Sequence, residues 1–384
     1  MTRSWPLTLA PLALLALLVG GFLTLRPLDR LTSDVPPIET LVVERTALGQ
    51  EGISVWVRAG GSAPLSIAQV QVDGAYWQFE QLPPGPLGRL ESARIEIPYP
   101  WVAGETHHLV FITSSGITFD HTIDVALPTP ALSMGDLLAY GVVGLFVGVV
   151  PVTLGLMFFP ALKGVSRRGL EFVLALTVGL LVFLLIDTLE EGLEVAAGAA
   201  SSLQASAVVW LAALVTCLGL LVAGRRGGAA PAGTALATFI ALGIGIHNLG
   251  EGLVIGASFA TGEAALASFL VVGFTLHNVT EGIGIAAPLT ERRPSLAIFA
   301  ALAALAGLPA VLGTWAGAFA FSPHWAALCF GVGAGAILQV VIEVSAYLHR
   351  TAQRAGQSGL SLTALLGFVA GLAIMYATAL LVRF

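Results

Sequence analysis

Apolar residues run almost unbroken from Trp5 to Leu25, close to the ~20 residues that a membrane-spanning helix needs. Over residues 35–128 the pattern changes to alternation, as in GISVWVRA at Gly52–Ala59, LSIAQVQVD at Leu65–Asp73, and shorter runs at Leu90–Ile97 and Leu109–Thr113. A period of two with β-branched and aromatic residues predicts half-buried strands. Turn residues punctuate them, notably Pro83-Pro84-Gly85-Pro86 and Ser114-Ser115-Gly116. About seven strands in a segment of this length predict a small antiparallel sandwich. After Pro128 long apolar segments follow one another at about 135–160, 170–190, 206–223, 234–260, 264–289, 295–320, 324–348 and 360–382.

The predicted fold is therefore a membrane all-α bundle of eight spanning helices over residues 134–384. An anchor helix over 5–25 and an extracytoplasmic β-sandwich domain over 35–128 precede it. A cleaved signal peptide is the rival reading of 5–25. Arg26-Pro27 follows the apolar run where a small-x-small cleavage site would stand, which favours an uncleaved anchor.

Composition agrees, and the placement of charge adds an orientation. Of the 384 residues 56% are hydrophobic and 10% charged, against about 25% charged in a soluble chain. The 17 basic and 23 acidic residues give a net charge of -6, which excludes a basic nucleic-acid-binding surface. Cys217 and Cys329 stand alone in apolar runs, offering neither a disulfide framework nor a CxxC metal site. The acidic surplus belongs to the strand segment, where residues 27–130 hold five arginines and twelve acids.

Of the ten basic residues after 130, nine (Lys163, Arg167, Arg168, Arg225, Arg226, Arg292, Arg293, Arg350 and Arg354) fall on alternate loops. Glu191, Glu194 and Glu263 mark the opposite loops. The positive-inside rule makes the basic side cytoplasmic. It puts the strand domain outside, in agreement with Arg3 ahead of the anchor. The expected location is the plasma (inner) membrane.

The candidate chemistry lies in the fourth and fifth apolar segments. His247-Asn248-Leu249-Gly250-Glu251-Gly252 and His277-Asn278-Val279-Thr280-Glu281-Gly282 both read HNxxEG. His and Glu at i and i+4 share a helical face, and ionisable residues inside spanning segments are costly enough to mark function. Both motifs fall near mid-segment, and the short connection makes the two helices antiparallel neighbours whose polar faces can meet. Two imidazoles, two carboxylates and two amide carbonyls form a mixed N/O ligand set that suits a divalent cation. Two ionised carboxylates would neutralise one dication there. Ion binding and proton release are then linked. The alternative is a pair of interhelical hydrogen-bond clamps, which the second His/Glu copy disfavours.

In these motifs the chain resembles the ZIP family of divalent-metal transporters. That family carries His-Asn-x-x-Asp/Glu-Gly on its fourth helix and a related His-x-x-Pro-Glu on its fifth. The likeness covers about residues 134–384, including the count of eight helices, and leaves out the strand domain. It implies a mid-membrane site of His247, Asn248, Glu251, His277, Asn278 and Glu281, and transport by one group of helices sliding as a rigid body. Zn2+ is the implied cargo, with Fe2+, Mn2+ or Cd2+ as alternatives and no organic cofactor. Gly250 and Thr280 stand where a proline is common in the family. Residues 295–320 contain no acid, although many members use one there for a second ion, so a mononuclear site is expected.

Other polar residues carry secondary expectations. Asp187 and Glu190, ending the second segment, are read as cation gatherers at the entrance, with Glu191 and Glu194 solvated. Glu343, with Gln339 one turn before it, is an exit-side ligand or an interhelical hydrogen-bonding group. His107, His108 and His121 are read as strand-surface histidines and His324 as interfacial. Gly331-x-Gly333-x-Gly335, Gly243 and Gly245 read as close-packing positions, since no strand precedes them.

Transport is the expected function. A non-transporting metal sensor or partner-binding protein is the alternative, and an intramembrane metallohydrolase a weaker one. No enzyme activity is expected: an HExxH hydrolase needs Glu after its first His, and Asn248 and Asn278 stand there. No nucleotide-binding motif points to ATP-driven pumping. Expected partners are the cation and the lipid bilayer, with no nucleic acid. A homodimer and a partner for the strand domain stay open.

Overall fold

The computed structural model describes residues 5–25, 38–130, 132–226, 228, 230–261, 263–290, 294–354 and 361–382. Arg3, Arg26, Pro27, Arg292 and Arg293, used above for orientation and cleavage, lie outside these. Residues Trp5–Leu25 form helix α1, 21 residues long and apolar throughout.

Eight strands follow among the described residues: β1 Leu41–Gly49, β2 Gly52–Ala59, β3 Ile67–Val72, β4 Ala75–Trp77, β5 Glu80–Leu82, β6 Ser92–Ile97, β7 His107–Thr113 and β8 Thr118–Ile123. They make two antiparallel four-stranded sheets, in the orders β1-β2-β6-β5 and β4-β3-β7-β8. One apolar core joins the sheets, with Val55, Val57 and Ile95 from the first and Val70, Val72, Leu109 and Phe111 from the second. The alternation legible in Gly52–Ala59 is the strict burial alternation of β2. One strand more than expected is present because β4 and β5, at three residues each, are too short to show a period. Asp73 and Gly74 both take positive φ, 52° and 80°, and join β3 to β4 through the tight mirror-image turn that Asp-Gly favours.

Among the described residues, eight helical stretches are long and apolar enough to cross a membrane, the architecture of an integral membrane protein. The first, Met134–Lys163, is not the single helix its hydropathy suggests. It consists of α2 Met134–Gly144, a π turn at Leu145–Val149, α3 Val150–Leu156 and α4 Phe159–Lys163. Pro151 has no N–H, so the carbonyl of Val147 loses its ordinary i+4 donor and the ladder is rerouted at this point. The others are α5 Arg167–Ala197, α6 Ala205–Gly224, α7 Thr234–Ala260, α8 Ala264–Ala286, α9 Leu296–Ala320, α10 Pro323–Arg354 and α11 Leu362–Val382.

Glycine positions divide these helices into two groups. Within the group α2–α4, α7, α8 and α9, backbones touch directly. A Cβ on Gly155 would lie 2.1 Å from Val279 O, and one on Gly252 2.2 Å from Ala310 O. Within α5, α6, α10 and α11 the same holds, with Gly335 against Ala213 O and Gly371 against Leu176 O, both at 2.2 Å. Between the groups the approach is looser: Gly250 faces the Phe330 ring, Gly284 faces the Thr177 side chain, and a Cβ on Gly333 would stand 3.5 Å from His247 Cα. The nearest backbone atom that a glycine Cβ would meet across this seam is Ala336 O, 3.1 Å from a Cβ on Gly243. Small residues let membrane helices interlock, so each group is tied backbone to backbone and the seam is not.

The sandwich sits at one end of the bundle. A bulge between Val43 and Arg45 interrupts the β1–β2 register, which re-aims neighbouring side chains. Arg45 Nη1 donates to Phe319 O at the end of α9, at 2.8 Å. Glu44 Oε1 accepts from Arg58 Nε at 2.6 Å and lies 3.6 Å from His324 Nδ1 at the start of α10.

Candidate metal centre

Helices α7 and α8 are antiparallel neighbours, and both motifs face inward near their midpoints. His247, Asn248, Glu251, His277, Asn278 and Glu281 are all buried. Three of them converge: one ligand atom each from His247, Glu251 and His277 lies within 4.8 Å of the other two. Glu251 Oε1 is the hub, 3.1 Å from His247 Nε2 and 2.5 Å from His277 Nε2. Each separation holds a hydrogen bond, so each needs a proton. Ligands at 2.0–2.2 Å around a tetrahedral ion stand about 3.3 Å apart. An ion that replaces those protons therefore requires the two Glu251 contacts to widen by less than about 1 Å.

The two asparagines are held in matching ways. Asn278 Nδ2 donates to Val147 O at 3.0 Å, the carbonyl whose helical donor Pro151 removes, and to Glu251 Oε2 at 3.1 Å. Asn248 Nδ2 donates to Ala306 O at 3.0 Å on α9, three residues before Pro309, which lies inside that helix. In both cases the amide nitrogen is used and the carbonyl oxygen is turned away from its anchor. Among the described residues, Asn248 Oδ1, Asn278 Oδ1 and both Glu281 oxygens are buried without a hydrogen-bond partner of normal geometry. Glu281 stands in the field of the Asn248 amide but outside the triad. Four orphaned buried oxygens are an expensive arrangement. Together with two imidazole nitrogens and a carboxylate they are the donor set a divalent cation satisfies.

A cavity of about 800 Å³ opens beside the triad. His277 lines it, as do Ser258 of α7, Asp187, Glu190, Glu191 and Glu194 of α5, and Glu263 of the α7–α8 connection. The lining thus reaches from mid-helix to the end where the sandwich sits. Glu190 lines the wall and is exposed. One expectation changes here: Glu191, expected to be solvated, is half-buried and close enough to Glu251 and His277 to feel their charges. The two are adjacent on α5, so a helical step of about 100° turns Glu191 inward and Glu190 outward.

Glu343 is fully buried on α10 and accepts from Arg225 Nε at 3.1 Å, at the end of α6. Its Oε2 and both polar atoms of buried Gln339 have no partner among the described residues. This pair is not among the residues that converge with the triad. His107 is buried rather than on the strand surface: its Nδ1 bonds Asp73 Oδ2 at 2.8 Å. His108 Nδ1 bonds Thr122 at 3.1 Å, and His121 Nε2 bonds Thr46 at 3.0 Å. The glycines read as packing positions do pack, Gly331 and Gly335 against α6 and Gly245 against Leu305 of α9.

One residue escaped notice in the sequence. Thr188 Oγ1 lies 3.0 Å from His247 Nδ1. It stands inside the acidic end of the second apolar segment, where a lone hydroxyl carries no periodic signal.

No protein-family model matches the chain, and no curated protein gives a significant match. Fold and site define its class by themselves: a polytopic helical membrane protein with a buried His/Glu triad between two of its central helices.

Proposed function

We propose that this protein is a divalent-metal transporter of the ZIP type. It moves Zn2+ as cargo, with Fe2+, Mn2+ and Cd2+ as competing substrates, through the α7/α8 site into the cytoplasm. The observation that carries the reading is the convergence of His247, Glu251 and His277 at mid-helix, with unpaired buried oxygens on Asn248, Asn278 and Glu281 of the same two motifs. A structural clamp would use its donors and acceptors up; this one leaves oxygens open, as a site that trades protons for a cation must. The acid-lined cavity supplies the approach, since a wall of carboxylates raises the local concentration of cations.

The seam supports motion of the site. His247 and His277 belong to the group α2–α4, α7, α8 and α9, whose glycine contacts make it one interlocked body. That body faces the other group without the close glycine-to-backbone contacts found inside each, a surface on which it slides without unlocking them. The charge pattern sets the direction of the frame: the end bearing Lys163, Arg167, Arg225 and Arg350 faces the cytoplasm of the plasma membrane, and the sandwich lies outside. The sequence-derived domains, 5–25 as anchor, 35–128 as sandwich and 134–384 as transport bundle, fit this frame.

The test is flux into vesicles reconstituted with the purified chain and loaded with a zinc-responsive dye. Zinc added outside should raise fluorescence, and Glu251→Gln or His277→Ala should abolish the rise. Tight zinc binding with no flux would make the protein a sensor instead; loss of neither binding nor flux in both variants would place the site elsewhere.

A further inference from the structure

Thr188 has chemistry in this centre that no motif announces. It is buried on α5, 1% exposed. A threonine hydroxyl has one hydrogen and two acceptor lone pairs. That hydrogen goes to the Leu184 carbonyl one turn back, at 2.7 Å. The oxygen, 3.0 Å from His247 Nδ1, is left to accept, so Nδ1 bears a proton, and the proton that Nε2 shares with Glu251 is the one an ion displaces. The opposite nitrogen, Nε2, is the one turned to Glu251. A neutral imidazole protonated at Nδ1 carries its lone pair on Nε2, which is the form a metal requires. Gly333 of α10 packs beside both residues, a Cβ there standing in ordinary contact at 3.5 Å from His247 Cα and 3.8 Å from Thr188 Cγ2.

We propose that Thr188 is the positioning residue of the metal centre: it accepts the Nδ1–H of His247 and so fixes the tautomer and ring rotation that present Nε2 to the ion. Its role rests on His247 being a ligand, and the two can fail separately. Thr188 reaches His247 from the other helix group, so this ring is steered from across the seam rather than from within its own body.

Zinc affinity of the full chain in detergent, measured by competition with a chromogenic chelator at fixed pH, tests the role. Thr188→Val keeps the shape and removes the acceptor; it should weaken zinc binding about ten- to a hundredfold, the usual effect of deleting the partner of a metal-bound imidazole. Thr188→Ser should restore most of the affinity. If Thr188→Val binds as wild type while His277→Ala does not, or if serine fails to rescue, Thr188 is not a positioning residue and the metal site stands. If His277→Ala also binds as wild type, the site itself is wrong. A further readout needs no variant at position 188. In zinc-loaded wild type with 15N-labelled histidine, the His247 resonances should show a protonated Nδ1 and a ligated Nε2; ligation through Nδ1 would overturn the role outright.

Discussion

At the scale of single residues, the centre is a set of protons waiting to be exchanged. His247 and His277 each share a proton with one oxygen of Glu251, and a cation must displace those protons to bind. Raising pH should therefore tighten zinc binding, and isothermal titration in buffers of different ionisation enthalpy should show protons released per ion bound. Glu251→Gln removes both the hub and its charge, and should abolish that release together with binding. The motif residues were legible because polar groups are so scarce in apolar helices that a twice-repeated HNxxEG stands out. The division of labour among them was not. Sequence spacing puts Asn248 and Asn278 beside their histidines, but only packing shows their amide nitrogens spent on Ala306 and Val147. Thr188 could not be found from its own segment, because its partner is 59 residues away.

Among elements, the first span and the sandwich each show a local device with a measurable effect. Pro151 withholds a donor from Val147 O, and Asn278 uses the vacated carbonyl. Pro151→Ala returns an N–H to the helix, which competes with Asn278 and frees its amide to turn. The expected result is a thermal stability equal to or above wild type with zinc affinity reduced several-fold, checked by pairing a melt with a chelator competition. In the sandwich, Asp73 lies in the β3–β4 turn and accepts from His108 N, His107 Nδ1 and Tyr99 OH. Burial alone would raise its carboxyl, but the His108 amide, His107 and Tyr99 outweigh it and hold the group below its ordinary value. A depressed carboxyl contributes stability above its unfolded value and loses it as pH falls through the folded one. Asp73→Asn should therefore destabilise the sandwich at neutral pH, with the deficit closing in strong acid, as followed by tryptophan fluorescence. Strands β2, β3, β6 and β7 could be read from alternation and spans from hydropathy. The three-residue strands, the π turn and the Glu44 bulge could not, since none leaves a periodic trace.

For the whole molecule, the division into two helix groups is the feature that makes transport testable without touching the metal. A Cβ on Gly284 of α8 would stand 3.6 Å from Cβ of Thr177 on α5, inside the range for a disulfide. With Cys217 and Cys329 replaced, the Thr177→Cys, Gly284→Cys double variant should cross-link on oxidation, retain zinc binding, lose vesicle flux, and regain it on reduction. Flux that persists through the cross-link would show that the groups do not slide. The grouping itself was not legible in the sequence: 45 glycines announce close packing, but not which backbones they bring together. At the sandwich, two neighbours on one strand hold opposite sides of the seam, Arg45 at the end of α9 and Glu44 beside the start of α10. A protein or antibody that stiffens or twists β1 thus needs no access to the buried triad to alter the pace of the proposed transport. The sandwich is a handle on the machine, reachable from water.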